Sequence, residues 1–315
     1  ENEYYWFQVE GLKVYDEVGY YYGHIEEIIH TGSNDVYVVR DGKRELLLPM
    51  IDSVVKAVDL DAKKLIFHPD RSNDHTTPDA YDIEYDDVTF RTEDGLNLNG
   101  WFIPGKKSSP DDDLHTLLWF HGNSGNINRR LDNIKMLHDR VPVNVFIFDY
   151  RQYGRSEGKV TEQGTHIDAK AALAYLRSRS DVNNEKIIFF GRSLGSAISV
   201  ELAVKEKCRA LILETPFTSI KEMGKKLYPY LPFTFFLRTK YDSLSKIRDI
   251  NVPTLIMHGD KDELVPIEQG KRLYEKANEP KEFYTIPGAM HNDTHIVGAE
   301  EYFDVIRDFV NKLTK

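Results

Sequence analysis

The sequence predicts an α/β protein in which a doubly wound, mostly parallel sheet follows a small all-β barrel at the N-terminus. From about residue 65 onward, continuous apolar runs alternate with amphipathic helical patterns, which is typical of a parallel sheet covered on both faces. Before that point the chain holds short strand-like runs separated by turn residues, with no long helical pattern. We therefore predict two domains, residues 1–64 and residues 65–315.

The N-terminal strands are predicted from β-branched and aromatic runs at Tyr20–Ile29, Asp35–Arg40 and Arg44–Met50. Asp41-Gly42 lies between the last two runs, and an Asp-Gly pair in that position indicates a hairpin. A closed barrel is the natural way for such short strands to hide their edges. This region holds thirteen acidic and seven basic residues, and it contributes -6 of the net charge of -10.

The second domain is predicted to begin with a strand pair, Val88–Arg91 and Leu96–Phe102, that turns at Asp94-Gly95. Strands and helices then alternate along the chain. The predicted strands are Thr116–Phe120, Val143–Phe148, Lys186–Phe190, Ala210–Glu214, Pro253–His258 and Glu282–Ile286. The predicted helices are Asn128–His138, Glu162–Ser178, Ser196–Lys205, Ile267–Ala277 and Ala299–Lys312.

Composition excludes several classes of protein. With 41% apolar and 29% charged residues the balance is globular, and the acidic net charge argues against direct nucleic-acid binding. The single cysteine, Cys208, rules out an internal disulfide and a zinc finger. The longest apolar stretch, Leu227–Leu237, is interrupted by two prolines and is too short to span a bilayer. We expect a cytoplasmic protein with no transmembrane segment.

The first chemical motif is Gly191-Arg192-Ser193-Leu194-Gly195, which lies between a buried strand and a helix. Its small glycines permit a tight strand-to-helix turn that leaves the Ser193 hydroxyl above the edge of the sheet. The N-terminus of the following helix favours negative charge that develops nearby. The motif therefore predicts that Ser193 is a nucleophile; otherwise it is a serine that caps its helix.

A serine nucleophile needs a base to remove its proton and a carboxylate to orient that base. In this fold class the expected chain order is serine, acid, histidine, with each group just beyond a strand. Asp262 and His291 satisfy that order, and we predict them as the acid and the base. Asp260 is the rival acid, with turn capping as its other role, and His295 is the rival base or a surface residue.

The oxyanion of an acyl-transfer intermediate needs two hydrogen-bond donors. One is predicted to be the backbone amide of Leu194, directly after the nucleophile, and the other the amide of Asn123. Asn123 belongs to a polar loop, residues 121–126, that follows a predicted strand and could also be a plain turn. His121 is expected to hold this loop by a hydrogen bond rather than to transfer protons.

Together these motifs resemble the α/β-hydrolase superfamily, on the branch of single-domain serine hydrolases that includes depalmitoylase-like and membrane-associated members. The resemblance covers residues 65–315 and implies the α/β-hydrolase fold, a Ser-His-Asp triad and no metal or organic cofactor. One departure is Gln152, where the family usually has glycine. The matching segments are His68-Pro69, Gly100–Pro104, His121–Asn126, Asp149–Ser156, the Ser193 turn, Asp262 and His291.

A second resemblance concerns residues 3–64, which are similar to the C-terminal PRC-type β-barrel of the ribosome maturation factor RimM. The other, N-terminal barrel of that family is missing here. The matching segments are Glu3–Trp6, Gly11–Val14, Thr31–Arg40 and Leu48–Ile51. The resemblance implies docking on a small-subunit ribosomal protein; otherwise the barrel is an appendage that solubilises or shields.

An aromatic insertion at about residues 216–250 is predicted to form a small lid over the nucleophile, with Phe217, Tyr228 and Phe235 as candidate substrate-binding residues. The same aromatics could instead pack on the sheet. We predict hydrolysis of carboxylic esters or thioesters through an acyl-enzyme. The alternatives are an aminopeptidase-like amide hydrolase and a non-catalytic adaptor that docks on the small ribosomal subunit.

Overall fold

A computed structural model of the chain describes residues 9–16, 19–30, 35–42, 44–49, 54–67, 76–109, 111–227 and 240–313. The chain divides into two compact units, residues 1–75 and residues 76–315. The predicted boundary at residue 64 lies at the start of a strand, Lys64–Phe67, which pairs within the sheet of the first unit.

The described residues of the N-terminal unit form a six-stranded sheet in the order β4-β3-β2-β1-β6-β5. Adjacent strands in this sheet pair in antiparallel fashion, except β1 and β6, which are parallel. Valine, leucine, isoleucine and tyrosine side chains form the unit's own buried core. The strands are β1 (Lys13–Asp16), β2 (Tyr21–His30), β3 (Asp35–Asp41), β4 (Arg44–Pro49), β5 (Val55–Asp59) and β6 (Lys64–Phe67).

The second unit is an α/β structure built on an eight-stranded sheet in the order β14-β13-β12-β11-β9-β10-β8-β7. Strands β9 to β14 pair in parallel, and β7 and β8 form an antiparallel margin. The fold class predicted from the sequence is confirmed. The strands are β7 (Asp86–Arg91), β8 (Asn97–Ile103), β9 (His115–Phe120), β10 (Val143–Phe148), β11 (Ile187–Arg192), β12 (Ala210–Glu214), β13 (Thr254–Gly259) and β14 (Lys281–Ile286).

Helices cover both faces of this sheet. The α-helices are α1 (Leu131–Arg140), α2 (Glu162–Ser178), α3 (Leu194–Lys205), α4 (Ile220–Leu227), α5 (Ser243–Lys246), α6 (Ile267–Lys276), α7 (Thr294–Val297) and α8 (Ala299–Lys312). Short 3₁₀ helices lie at Pro78–Tyr81, Ile127–Arg130, Asn184–Lys186 and Ile247–Asp249. None of the helices formed by the described residues has the length and apolar character needed to cross a membrane.

The central strands are buried on both faces because successive side chains point to opposite sides of the sheet. In β9, Leu118 and Phe120 belong to a core shared with α2, α3 and α6, whereas Leu117 and Trp119 belong to a core shared with α1 and α8. This explains why the strands read as continuous apolar runs rather than as an alternating pattern.

The start of α1 differs from the sequence prediction. A helix was predicted from residue 128, but residues 127–130 form a 3₁₀ turn before the α-helix begins at Leu131. The Asn126 side chain accepts a hydrogen bond from the Asn128 amide and caps this tighter turn.

Candidate active site

Ser193 occupies a sharp turn between β11 and α3. Its backbone has φ 51° and ψ -115°, a combination that residues other than glycine seldom adopt. The Ser193 amide donates a hydrogen bond to the backbone carbonyl of Glu214 at the end of β12, at 2.9 Å. The turn is therefore anchored to the neighbouring strand and leaves the hydroxyl at the carboxyl end of the sheet.

The turn needs glycine at residue 195 because α3 approaches β9 closely. A Cβ atom at Gly195 would lie 1.9 Å from the carbonyl oxygen of Phe120, and side-chain carbons essentially never come that close to another atom. This contact explains the second glycine of the motif. It also brings the loop after β9 to the nucleophile, since a Cβ at Gly122 would lie 3.5 Å from the Cβ of Ser193.

The histidine loop after β14 brings an imidazole to the serine. His291 Nε2 lies 3.0 Å from Ser193 Oγ, and His291 Nδ1 lies 2.7 Å from Asp262 Oδ2. The carboxylate can only accept, so it assigns the proton of a neutral imidazole to Nδ1. The Nε2 lone pair then faces the serine hydroxyl, as a general base requires.

Asp262 is held by its own turn. Its Oδ1 accepts hydrogen bonds from the amides of Leu264, at 3.0 Å, and Val265, at 2.7 Å, while His258 Nε2 lies 3.3 Å from Oδ2. Burial by itself would raise the pKa of Asp262, but the hydrogen bonds from His258 and His291 outweigh it and lower the pKa to about 2. The carboxylate is therefore ionised at neutral pH.

The rival residues have other positions. Asp260 is exposed, and its Oδ1 accepts a hydrogen bond from the Gly288 amide at 2.6 Å, which ties the turn after β13 to the histidine loop. His295 is buried in α7 rather than lying on the surface, and burial lowers its pKa. Asp262 and His291 thus lie at Ser193, whereas Asp260 holds the turn after β13.

Two backbone amides close in the chain to Ser193 or Gly122 have no hydrogen-bond acceptor among the described residues. Leu194 is the first residue of α3, where an amide has no partner within the helix. Among the described residues, no group accepts a hydrogen bond from the amide of Asn123. The Asn123 carbonyl and side-chain oxygens do accept, from the Tyr153 hydroxyl, at 3.1 and 2.7 Å.

Two buried side chains, those of His121 and Tyr150, hold the loop that contains Asn123. His121 Nδ1 lies 2.7 Å from the carbonyl oxygen of Gly122, and the Tyr150 hydroxyl donates to the carbonyl of His121 at 3.0 Å. His121 Nε2 lies 3.6 Å from Asp149 Oδ1. Burial lowers the pKa of His121 to about 3 and raises the pKa of Asp149 to about 7. His121 is therefore neutral and holds the loop, as predicted from the sequence.

Of the predicted substrate-binding residues, Phe217 is buried at 4% exposure in the core that also contains Leu194. Phe217 therefore packs in the core instead of lining an open substrate pocket. Tyr228 and Phe235 lie outside the described residues, as does the middle of the insertion predicted to be a lid. Leu264 and Met290 were not predicted as site residues, and both are exposed apolar side chains, close in sequence to Asp262 and His291 respectively.

Comparisons with known proteins agree with this fold. Residues 115–242 match the family model of the alpha/beta hydrolase fold, and residues 232–295 match that of serine aminopeptidase, S33. The alpha/beta hydrolase domain-containing protein WAV2 of Arabidopsis thaliana is 36% identical over 254 residues, which cover 75% of this chain and 82% of WAV2. The chain belongs to the α/β-hydrolase family.

Three further comparisons were found, two with whole proteins and one with the N-terminal unit. The Pyrococcus furiosus esterase Pf2001 superposes with a TM-score of 0.63 at 24% identity, covering 78% of this chain and 97% of the esterase. Protein bem46 of Schizosaccharomyces pombe is 36% identical over 240 residues, or 74% of this chain and 79% of bem46. Residues 6–71 match the RimM PRC barrel domain, so the N-terminal resemblance is confirmed as well.

Proposed function

We propose that the chain is a serine hydrolase that cleaves carboxylic esters or thioesters through an acyl-enzyme on Ser193. The observation that carries the proposal is the pair of distances at His291, 3.0 Å to Ser193 Oγ and 2.7 Å to Asp262 Oδ2. A serine hydroxyl, an imidazole with a free lone pair and an ionised carboxylate in this order can generate a nucleophile at neutral pH.

In the first half of the reaction, His291 Nε2 takes the proton of Ser193 as Oγ attacks the acyl carbon. The resulting imidazolium is stabilised by Asp262, which stays ionised. His291 then gives the proton to the departing alcohol or thiol, and the acyl group remains on Ser193. In the second half, water attacks the acyl carbon as His291 Nε2 accepts its proton, and His291 then returns that proton to Ser193 Oγ as the bond from the acyl carbon to Oγ breaks and the free acid leaves.

The oxyanion that forms twice in this cycle would be held by the amides of Leu194 and Asn123. Both are backbone donors, fixed in one case by the start of α3 and in the other by hydrogen bonds from the half-buried Tyr153 to Asn123, so they need little rearrangement during the reaction. Removal of one such donor typically costs about 10²–10³-fold in kcat.

An aminopeptidase-like activity is the second candidate, because residues 232–295 match the serine aminopeptidase, S33 model. The same triad serves esters and amides, and the leaving group decides between them. Esters and thioesters are favoured here because Leu264 and Met290 put exposed apolar surface close in sequence to the acid and the base, which suits an acyl chain.

The test is a substrate panel on the full chain. Turnover is measured for wild type and for Ser193→Ala. The substrates are p-nitrophenyl esters of increasing chain length, acyl thioesters followed by thiol release, and aminoacyl p-nitroanilides. Ester or thioester turnover that disappears in Ser193→Ala supports the proposal. Turnover of the anilides alone would favour the aminopeptidase, and ester turnover that survives the substitution would contradict Ser193 as nucleophile.

For the N-terminal unit we propose docking on a small-subunit ribosomal protein, on the strength of the RimM PRC barrel match to residues 6–71. A pull-down with purified small subunits, using the full chain and a variant lacking residues 1–75, tests it. Retention that depends on residues 1–75 supports docking. Equal retention of both chains would indicate that the barrel is only an appendage. Docking by a chain that shows no hydrolase activity would favour the alternative of a non-catalytic adaptor.

A further inference from the structure

A buried ion pair lies beside the triad. Arg192, the last residue of β11, and Glu214, the last residue of β12, stand in register on adjacent parallel strands. Their side chains are almost completely shielded from solvent, and Arg192 Nε lies 3.6 Å from Glu214 Oε1. Removing two charges from water is costly, so burial of this pair needs specific partners to offset it.

Those partners lie in the chain segments that hold the proposed triad. The Arg192 guanidinium donates from Nη2 to the backbone carbonyl of His291 at 2.9 Å. The Glu214 carboxylate accepts a hydrogen bond from the hydroxyl of Thr294, which is the first residue of α7 and lies three residues after His291. The backbone carbonyl of Glu214 accepts the amide of Ser193 at 2.9 Å.

The pair therefore connects the nucleophile turn with His291 and with the first residue of α7. Arg192 is covalently joined to Ser193, so its bond to the His291 carbonyl fixes the base relative to the nucleophile. A second arginine, Arg130, is half-buried near this pair and donates to the carbonyl of Ser124 in the loop of Asn123. The same charged cluster thus reaches the loops of the nucleophile, the base and the predicted oxyanion donor.

We propose that Arg192 and Glu214 are positioning residues that set the distance between Ser193 and His291 in the proposed serine hydrolase. Neither side chain touches the reacting atoms. This inference rests on the proposed function, because it concerns how the triad is held. A displacement of about 1 Å of a reacting group can cost about 10²-fold in rate, so loss of the pair should reduce turnover while substrate binding stays nearly unchanged.

The test replaces the pair by neutral groups of similar size. Arg192→Met alone would leave Glu214 buried and unpaired, so the main variant is the double substitution Arg192→Met/Glu214→Gln, which removes both charges and keeps an acceptor for Thr294. Arg192→Lys is the conservative variant, because an ammonium can still donate to one carbonyl. The control is Arg177→Met, since Arg177 likewise pairs with a glutamate and donates to a backbone carbonyl, in its case that of Lys207.

Steady-state kinetics on p-nitrophenyl butyrate and thermal unfolding are measured for each chain. We expect the double variant to fold, to lose about 10–100-fold in kcat, and to keep KM within about twofold of wild type. Arg192→Lys should recover part of kcat, and Arg177→Met should match wild type.

A double variant with wild-type kcat, or a loss confined to KM, would overturn the positioning role. So would an equal loss in Arg177→Met. The proposed function is judged separately by Ser193→Ala. If that variant still hydrolyses the ester, the serine mechanism itself fails, whatever the arginine variants do.

Discussion

Replacing Asp262 with asparagine tests the proposed triad at the residue expected to set the histidine tautomer. Asp262 Oδ1 accepts two backbone amides, those of Leu264 and Val265. An amide nitrogen in that position would face two donors, so the asparagine carbonyl oxygen must take it. The NH₂ group then occupies the position of Oδ2, 2.7 Å from His291 Nδ1.

The consequence is an imidazole in the wrong tautomer. An NH₂ group can only donate, so Nδ1 of His291 must accept and its proton moves to Nε2. Nε2 then faces the Ser193 hydroxyl with a proton rather than a lone pair and cannot act as base. A triad with this defect loses about 10⁴-fold in kcat, which corresponds to about 5 kcal/mol of activation free energy.

The assay is kcat/KM on a p-nitrophenyl ester for wild type, Asp262→Asn and Asp260→Asn. Asp260 is exposed and accepts one backbone amide, which an asparagine oxygen can accept equally well, so its variant should stay within about threefold of wild type. A loss of less than about tenfold in Asp262→Asn, or a larger loss in Asp260→Asn, would refute this reasoning about the acid.

Three further predictions follow from contacts near the site. Gly195→Ala should destabilise the chain by about 3 kcal/mol in urea unfolding, because the new Cβ would meet the carbonyl oxygen of Phe120 at 1.9 Å; an unchanged unfolding midpoint would contradict this contact. The free energy of unfolding of Asp149→Asn should rise by about 3 kcal/mol relative to that of wild type between pH 5 and pH 8. Burial raises the pKa of Asp149 from 3.8 to about 7, so ionising this carboxyl in the folded state costs wild type stability as the pH rises. A stability difference that does not change with pH would show that the carboxyl ionises normally. Tyr153→Phe should lower kcat about tenfold with little change in melting temperature, because the two hydrogen bonds to Asn123 are lost; wild-type kcat would show that the loop keeps its position without them.

The sequence predicted the α/β unit well because its signals are local. The strands Val143–Phe148 and Ala210–Glu214 and the helix Glu162–Ser178 have the predicted bounds, since each is a continuous apolar run or a clean amphipathic pattern between polar segments. Strands β1, β5 and β6 were not among the individually predicted runs of the N-terminal region. Each has only four or five residues with charged side chains among them, and the parallel pairing of β1 with β6 joins segments about fifty residues apart.

The site was predictable to the extent that it follows strand ends. Ser193, Asp262 and His291 each lie just beyond the carboxyl end of a strand, and parallel strands bring those ends to one edge. The partners of the pair at Arg192 and Glu214 were not predictable. They depend on the register of β11 against β12 and on the course of the loop after β14, and neither leaves a local pattern in the sequence.

The most direct test of the proposed nucleophile is labelling of the full chain with a fluorophosphonate, read by intact mass and peptide mapping, for wild type and Ser193→Ala. Phosphonylation requires an activated hydroxyl, which the 3.0 Å approach of His291 Nε2 to Ser193 Oγ provides. We expect one adduct on wild type, mapped to Ser193, and none on folded Ser193→Ala. Folded wild type without an adduct, or an adduct that persists after the substitution, would contradict the serine mechanism.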